Sequence, residues 1–247
     1  MPSIERIAVI GAGVMGSGIA QVTATAGYAT RCIDIDPAAI ERARSAVTAG
    51  RYGFERAVER GKVEAADAEA ALARLEFSTD LDGVADADLV VEAVPEHFDL
   101  KIQVLRDLDR RMDGAAVLAT NTSGFSIAAL GAATDRADRV VGWHWASPAQ
   151  VMRFAEIVRA PATAQATVDV VCEAALACGK NPIVVNDAET AWGFVANRIY
   201  FAAIAEAHRV VAEGVADREQ VDALMMDCYR WPAGPFAMVR GATEGWK

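Results

Sequence analysis

Ile7-Ala8-Val9-Ile10-Gly11-Ala12-Gly13-Val14-Met15-Gly16 is the stretch on which the fold turns. An apolar run of buried-strand type leads directly into G-x-G-x-x-G, and an Ala-rich helical pattern follows to about Gly27. Strand, glycine turn and helix in that order give the motif its meaning. Gly11 permits a tight turn, Gly13 lets the backbone approach a pyrophosphate, and Gly16 lets the helix pack close to the strand. The helix N-terminus offers N–H groups and the positive end of its dipole to phosphates. The dinucleotide contacts expected here are Gly11, Gly13, Val14, Met15 and Gly16.

Working outward, a second strand, Thr30-Arg31-Cys32-Ile33, ends at Asp34. A carboxylate there accepts hydrogen bonds from adenosine ribose hydroxyls and repels a 2′-phosphate, so the expected cofactor is NAD rather than NADP. Asp36 lies close enough in sequence to share this role. Further apolar runs of strand length are Asp88–Ala93, Ala116–Thr120, Arg139–Trp143, Phe154–Val158 and Pro182–Val185. Helical patterns separate most of them, which predicts an α/β fold with a Rossmann-like, doubly wound, mainly parallel sheet. Phe154–Val158 follows its predecessor after a loop containing Pro148 and is expected to pair antiparallel with it. Pro37–Arg60 and Glu64–Arg74 read as two helices joined at Gly61. After Asn186-Asp187 the pattern becomes purely helical, with Phe194–Glu213 and Asp217–Arg230 as helices, the second beginning at an N-cap Asp. The expected division is an NAD-binding domain over 1–188 and a smaller all-helical C-terminal domain over 189–247.

Just over half of the 247 residues are apolar, enough for a substantial core. The net charge of −10 argues against nucleic acid as a partner. No apolar run has the length of a membrane span, and a first strand starting near Ile4 leaves no room for a signal or transit peptide. A cytoplasmic location is expected. The four cysteines, Cys32, Cys172, Cys178 and Cys228, lack metal-type spacing and read as reduced thiols, so no metal is expected.

In a doubly wound sheet, ligands bind outside the carboxyl ends of the strands. Those ends carry Gly11–Gly16, Asp34, Pro95-Glu96, Asn121-Thr122-Ser123-Gly124 and His144. His144 is the candidate base. His97 lies at a helix start and His208 within a helix, where surface or packing roles suffice. A half-buried structural role also fits His144, flanked as it is by Trp143 and Trp145. Glu156 on the next strand shifts the balance. A hairpin brings the two side chains together, and a carboxylate on one imidazole nitrogen leaves the other to take a proton. With a nicotinamide nearby, such a base removes a hydroxyl proton while hydride leaves the same carbon. Ser123 and Asn121 are hydrogen-bonding groups at a strand end, Ser123 also being a possible cap for the helix after Ser126. Asn197, early in a long apolar helix, is costly there without a partner and reads as facing a cleft. The basic residues Arg42, Arg44, Arg51, Arg56, Arg60 and Lys62 are interleaved with Glu41, Glu55 and Glu59. They fit a solvated helix face or, in part, a polyphosphate site.

Together these residues resemble the L-3-hydroxyacyl-CoA dehydrogenase family. The landmarks are GAGVMGSGIA at 11–20, VEAVPE at 91–96, NTSG at 121–124, GWHWASPAQVMRFAEIV at 142–158, GKNPIVV at 179–185, GFVANRI at 193–199, and GVADREQVDALM with GPF near 214–236. The resemblance implies NAD-dependent oxidation of the 3-hydroxyl of an acyl-CoA, and a helical domain that forms a homodimer. It implies His144 as catalytic base, Glu156 as its orienting partner, and Ser123 and Asn197 as holders of the substrate oxygen. Glu96, Lys101 and Asn121 join the cofactor contacts. The helices after the second strand correspond to an arm that holds coenzyme A, which favours Arg44, Arg51 or Arg56. The chain departs from the family in three places. His144-Trp145-Ala146-Ser147-Pro148 stands where His-Phe-Phe-Asn-Pro is common, which puts Trp145 and Ala146 in an altered pocket wall. Trp192 replaces a proline. The chain stops at Lys247 where relatives continue with further helices, implying a shortened helical domain. Two other readings fit the same residues: another hydroxy acid or carrier-bound hydroxyacyl substrate, or an NAD-binding protein without catalysis.

Overall fold

A computed structural model of the chain describes residues 4–188 and 191–244. The chain divides into two compact units, Met1–Phe194 and Val195–Lys247. In the first unit the opening motif folds as β1 (Arg6–Ile10), a glycine turn and α1 (Val14–Thr25), followed by β2 (Ala29–Ile33). Asp36 caps α2 (Pro37–Ala49) by accepting from Ala38 N, and Pro37 supplies the first turn. Then come α3 (Phe54–Glu59), α4 (Ala65–Ala73), β3 (Leu75–Ser78), β4 (Leu89–Glu92), α5 (Phe98–Arg111) and β5 (Val117–Thr120). The unit ends with α6 (Ile127–Gly131), β6 (Val140–Trp145), β7 (Phe154–Arg159), α7 (Gln165–Ala177) and β8 (Asn181–Asn186).

The eight strands form one sheet in the order β3-β2-β1-β4-β5-β6-β7-β8. Every pairing is parallel except β6 with β7, which is antiparallel as the sequence predicts. The chain winds outward from β1 through β2 and β3, then returns to the other side of β1 with β4. That reversal opens a crevice beyond the carboxyl ends of β1 and β4, where an open α/β sheet takes its ligands.

Side-chain alternation sorts the core into two layers. Ile7, Val9, Leu89, Val91, Val141, Trp143 and Trp145 pack on one face with Ile19 of α1 and Val168 and Val171 of α7. Ala8, Ile10, Val90, Leu118 and Val140 pack on the other with Leu105 and Leu108 of α5 and Ile127 of α6. His144 lies between two residues of the first layer and so points to the face opposite both tryptophans.

Three local readings need correction. Pro37–Arg60 is not one helix but α2 and α3, broken where Gly50 caps one and Gly53 begins the other. The turn is so close that a Cβ on Gly53 would sit 2.7 Å from Thr48 O. The sequence reading also misses β3, whose Glu76 and Ser78 interrupt the apolar pattern at the sheet's edge. Finally, β6 runs two residues beyond the expected Arg139–Trp143, far enough to include His144.

In the second unit, α8 (Val195–Ala212), α9 (Arg218–Tyr229) and α10 (Pro235–Glu244) share a small core of Ala207, Val221 and Phe236. Asp217 and Gln220 form a capping box at the start of α9, with Gln220 N donating to Asp217 Oδ1 at 2.8 Å and Asp217 N to Gln220 Oε1 at 2.9 Å. The sequence reading misses α10. Asp222 holds its first turn by accepting from Phe236 N and Ala237 N. Among the described residues, no helix is long and apolar enough to cross a membrane.

Candidate active site

At the carboxyl end of β1, Gly11 adopts φ +101°, and a Cβ there would meet Ala93 O at 2.7 Å. A Cβ on Gly16 would lie 1.7 Å from Gly11 O, so only glycine lets α1 start this close to the strand. Gly13 differs from both: a Cβ there meets nothing within 4 Å. The missing side chain leaves open space beside the start of α1, which begins at Gly13 without a side-chain cap. That opening, faced by the first N–H groups of a helix, suits a pyrophosphate. Asp34 closes the site from β2. Its Oδ2 accepts from Ala12 N at 2.7 Å and its Oδ1 from Asp36 N at 2.9 Å. The carboxylate is thus held against the glycine loop with lone pairs to spare for a ribose. Asp36 turns away from that role, capping α2 and meeting Arg42.

On the sheet's antiparallel pair, His144 and Glu156 are direct cross-strand partners. His144 Nδ1 lies 2.8 Å from Glu156 Oε2. A carboxylate can only accept, so Nδ1 carries a proton in this contact. Both residues are buried, with His144 6% exposed. Phe154 and Phe194 pack edge-on against the imidazole at 5.3 and 5.9 Å between ring centroids, fixing its plane.

Between these ends lies a polar network that the sequence reading only partly found. Lys101 Nζ donates to Glu92 Oε1 at 2.7 Å and to Val94 O at 3.2 Å, and lies 3.3 Å from Glu96 Oε2. Glu96 Oε1 accepts from Thr122 Oγ1 at 2.6 Å and Ser123 N at 2.9 Å. Lys101 is only 1% exposed and lies beneath Glu96. Asn121 Oδ1 accepts from Trp145 N at 2.9 Å, tying the ends of β5 and β6 together. The cap of α6 is Ser126, whose Oγ accepts from Ala129 N, not Ser123. Glu92 and Thr120 went unnoticed in sequence. The available signal was a carboxylate closing the otherwise apolar strand Leu89-Val90-Val91-Glu92.

Trp145 does not belong to the wall around His144. It is buried on the other face against Trp143 at 4.9 Å, with Lys180 Nζ 5.0 Å from its ring centroid. Lys180 Nζ also donates to Ala149 O at 2.6 Å and Met152 O at 2.8 Å, pinning the loop after β6. Burial holds the Lys180 pKa below its ordinary value. Beside this loop, a cleft of about 570 Å³ is lined by Gln21, Tyr52 and Gln150 and by the cations Arg51, Arg60, Lys62, Arg153 and Lys180. Of the three arginines favoured for a polyphosphate, Arg51 lines this cleft. Arg44 instead lies over the Phe77 ring, and Arg56 is not among the lining residues. Asn197 lies in the first turn of α8 in the second unit. Among the described residues, no group of three His, Cys, Asp or Glu side chains is placed to hold a metal ion.

A doubly wound sheet with a glycine loop at β1, an acid at β2 and a buried His–Glu pair at β6–β7 defines a dinucleotide-binding protein of the dehydrogenase class. Comparison with known proteins agrees and goes further. Residues 6–188 match the family model described as 3-hydroxyacyl-CoA dehydrogenase, NAD binding domain, and residues 193–245 match that of its C-terminal domain. The chain belongs to the 3-hydroxyacyl-CoA dehydrogenase family, and its cofactor is NAD. It is 37% identical over 95% of its length to a probable 3-hydroxybutyryl-CoA dehydrogenase of Bacillus subtilis, covering 80% of that protein. The crystal structure of the (S)-3-hydroxybutyryl-CoA dehydrogenase PaaH1 from Ralstonia eutropha superposes with a TM-score of 0.91 at 37% identity, over 96% of this chain and 81% of that one. A relative from Mesorhizobium japonicum, 34% identical over 94% of this chain and 71% of its own length, is named 5-formyl-3-hydroxy-2-methylpyridine 4-carboxylate 5-dehydrogenase.

Proposed function

We propose that the protein oxidises the 3-hydroxyl of a 3-hydroxyacyl-CoA to the 3-ketoacyl-CoA, reversibly, with His144 as general base. The observation that carries this reading is the 2.8 Å contact between His144 Nδ1 and Glu156 Oε2. It leaves Nε2 to take the hydroxyl proton on oxidation and return it on reduction. Glu156 keeps the ring in that tautomer and offsets the positive charge the imidazole acquires. Ser123, beside Glu96, holds the substrate oxygen by a hydrogen bond. Gly11–Gly16 and Asp34 would hold NAD, with Glu96 and Asn121 as further contacts, and NAD when bound would supply the hydride acceptor.

The cationic cleft supports a coenzyme A thioester over a free hydroxy acid. In a chain of net charge −10, five cations gather on one cleft. Among the described residues, Arg51, Arg60, Lys62 and Arg153 form no ion pair with a carboxylate. Such a site fits the phosphates of coenzyme A. The NAD-binding match ends at residue 188, and the second unit, with α8–α10, serves as a homodimer contact. Exposed Ile199, Leu224 and Tyr229 in the second unit support an apolar contact of that kind. Four free cysteines suit the reducing cytoplasm.

The test follows NADH oxidation with acetoacetyl-CoA, longer 3-ketoacyl-CoAs and the corresponding free acids. Turnover of the thioesters, lost in His144→Ala, is expected. Turnover of a free acid with none of any thioester overturns the substrate assignment. A second reading keeps the His144–Glu156 chemistry and changes the substrate. Two observations favour it: Ala146-Ser147 in the loop after His144, and the Mesorhizobium relative named for a pyridine carboxylate. Cofactor binding without turnover on any substrate would instead support a non-catalytic role.

A further inference from the structure

We propose that Glu92 is a positioning residue for the cofactor end of the site, acting through Lys101 on Glu96 and the Thr122–Ser123 turn. The inference rests on the reading above, in which Glu96 and Ser123 serve the site.

Glu92 ends β4 with its side chain 0% exposed. Its two oxygens serve three donors: Oε1 takes Lys101 Nζ at 2.7 Å and Val94 N at 2.8 Å, and Oε2 takes Thr120 Oγ1 at 2.6 Å. Glu92 therefore links the ends of β4 and β5 to the first turn of α5. An uncharged pair of similar shape would join those elements as well, since burying a carboxylate and an ammonium together brings little or no net stability. The charge matters for how Lys101 is shared. Its ammonium lies 2.7 Å from Glu92 and 3.3 Å from Glu96.

Glu96 is the one member of the trio with substantial access to solvent, its side chain 33% exposed. It accepts from Thr122 Oγ1 and Ser123 N through its other oxygen, Oε1. With Glu92 holding the ammonium, Glu96 makes a looser contact with Lys101 and keeps Oε1 on the Ser123 turn. Without the Glu92 charge, the buried ammonium has only Glu96 as a carboxylate partner. Glu96 is then drawn inward, and the turn that carries Ser123 loses its two hydrogen bonds to Glu96.

The experiment compares the wild type, Glu92→Gln and the double variant Glu92→Gln/Lys101→Met. It measures NAD and NADH affinity by calorimetry and fluorescence, kcat and KM with acetoacetyl-CoA, and thermal unfolding. For Glu92→Gln, cofactor affinity and kcat are each expected to fall about tenfold to a hundredfold, the range set by small misplacements at a reacting site. KM for the thioester is expected to change less than kcat, because the cationic cleft is untouched and only the Ser123 contact shifts. The double variant removes the buried ammonium that has lost its Glu92 partner and regains the melting temperature lost in the single variant, yet stays impaired in cofactor affinity and kcat because Glu96 has no cation. If the double variant recovers stability and kcat together, Glu92 serves the fold alone and the proposal falls. A folded Glu92→Gln protein with wild-type cofactor affinity and kcat overturns it equally. Absence of thioester turnover in the wild type would sink the functional reading instead, while the cofactor-binding measurements still judge Glu92.

Discussion

His144 and Glu156 stand twelve residues apart, and their contact exists because β6 and β7 place them opposite one another. The carboxylate charge sets which nitrogen carries the proton. An amide at 156 could donate to Nδ1 and put the imidazole proton on Nε2, the wrong place for a base. Glu156→Gln should therefore lower kcat by about 10²- to 10⁴-fold with little change in melting temperature. Steady-state kinetics beside calorimetry would check this, and near-wild-type turnover would refute the role. At the proposed cofactor end, Asp34 accepts from Ala12 N and is assigned the ribose. Asp34→Ala should weaken NAD binding about tenfold and narrow the preference over NADP, read by titration with each cofactor. Asp34 and His144 were legible because they fall at or just past the carboxyl ends of β2 and β6, and Glu156 because the β6–β7 hairpin sets it opposite His144. Glu92 was not legible. Its neighbours made it look like one more strand residue, and only the structure shows Lys101 and Thr120 converging on it.

At the scale of elements, the glycine turn is the most constrained piece. Gly16→Ala would drive a methyl group into Gly11 O, displacing the loop. Loss of measurable cofactor binding is expected, along with a lower melting temperature, and retention of normal affinity would show that the loop relaxes freely. In the second unit, the Asp217–Gln220 box begins α9, and Asp217→Ala should cost about 1 kcal/mol. Faster hydrogen exchange confined to the first turn of α9 would report it. Capping by Asp217 was readable in sequence because acid, polar spacing and apolar run coincide. The start of α10 was not, since its anchor, Asp222, comes from the preceding helix. The strand β3 was hidden for a related reason. An edge strand buries only part of its surface, so Glu76 and Ser78 are tolerated there and blur the period. The break between α2 and α3 carried its own signal in Gly50 and Gly53, outweighed by helix-forming neighbours.

Across the whole molecule, the cysteines offer a sensor of the native state. Burial, reinforced by Asp34 for Cys32, pushes the Cys32 thiol up to about 12, and burial does the same for Cys178. Neither holds appreciable thiolate at neutral pH, whereas Cys228 is exposed. Reaction with a disulfide reagent at pH 7.5 should modify Cys228 first, leaving Cys32 and Cys178 silent until denaturant is added. Early modification of Cys32 would mean that the sheet opens readily. The antiparallel pair in this otherwise parallel sheet has a consequence for diversification. A ladder of backbone hydrogen bonds keeps His144 facing Glu156, and Lys180 grips the loop between their strands only through the carbonyls of Ala149 and Met152. Every amino acid has a carbonyl, so side chains along this loop can change without loosening either restraint. The pairing of His144 with Glu156 is thereby set by main-chain geometry, independent of which side chains the adjoining loop presents to the cleft.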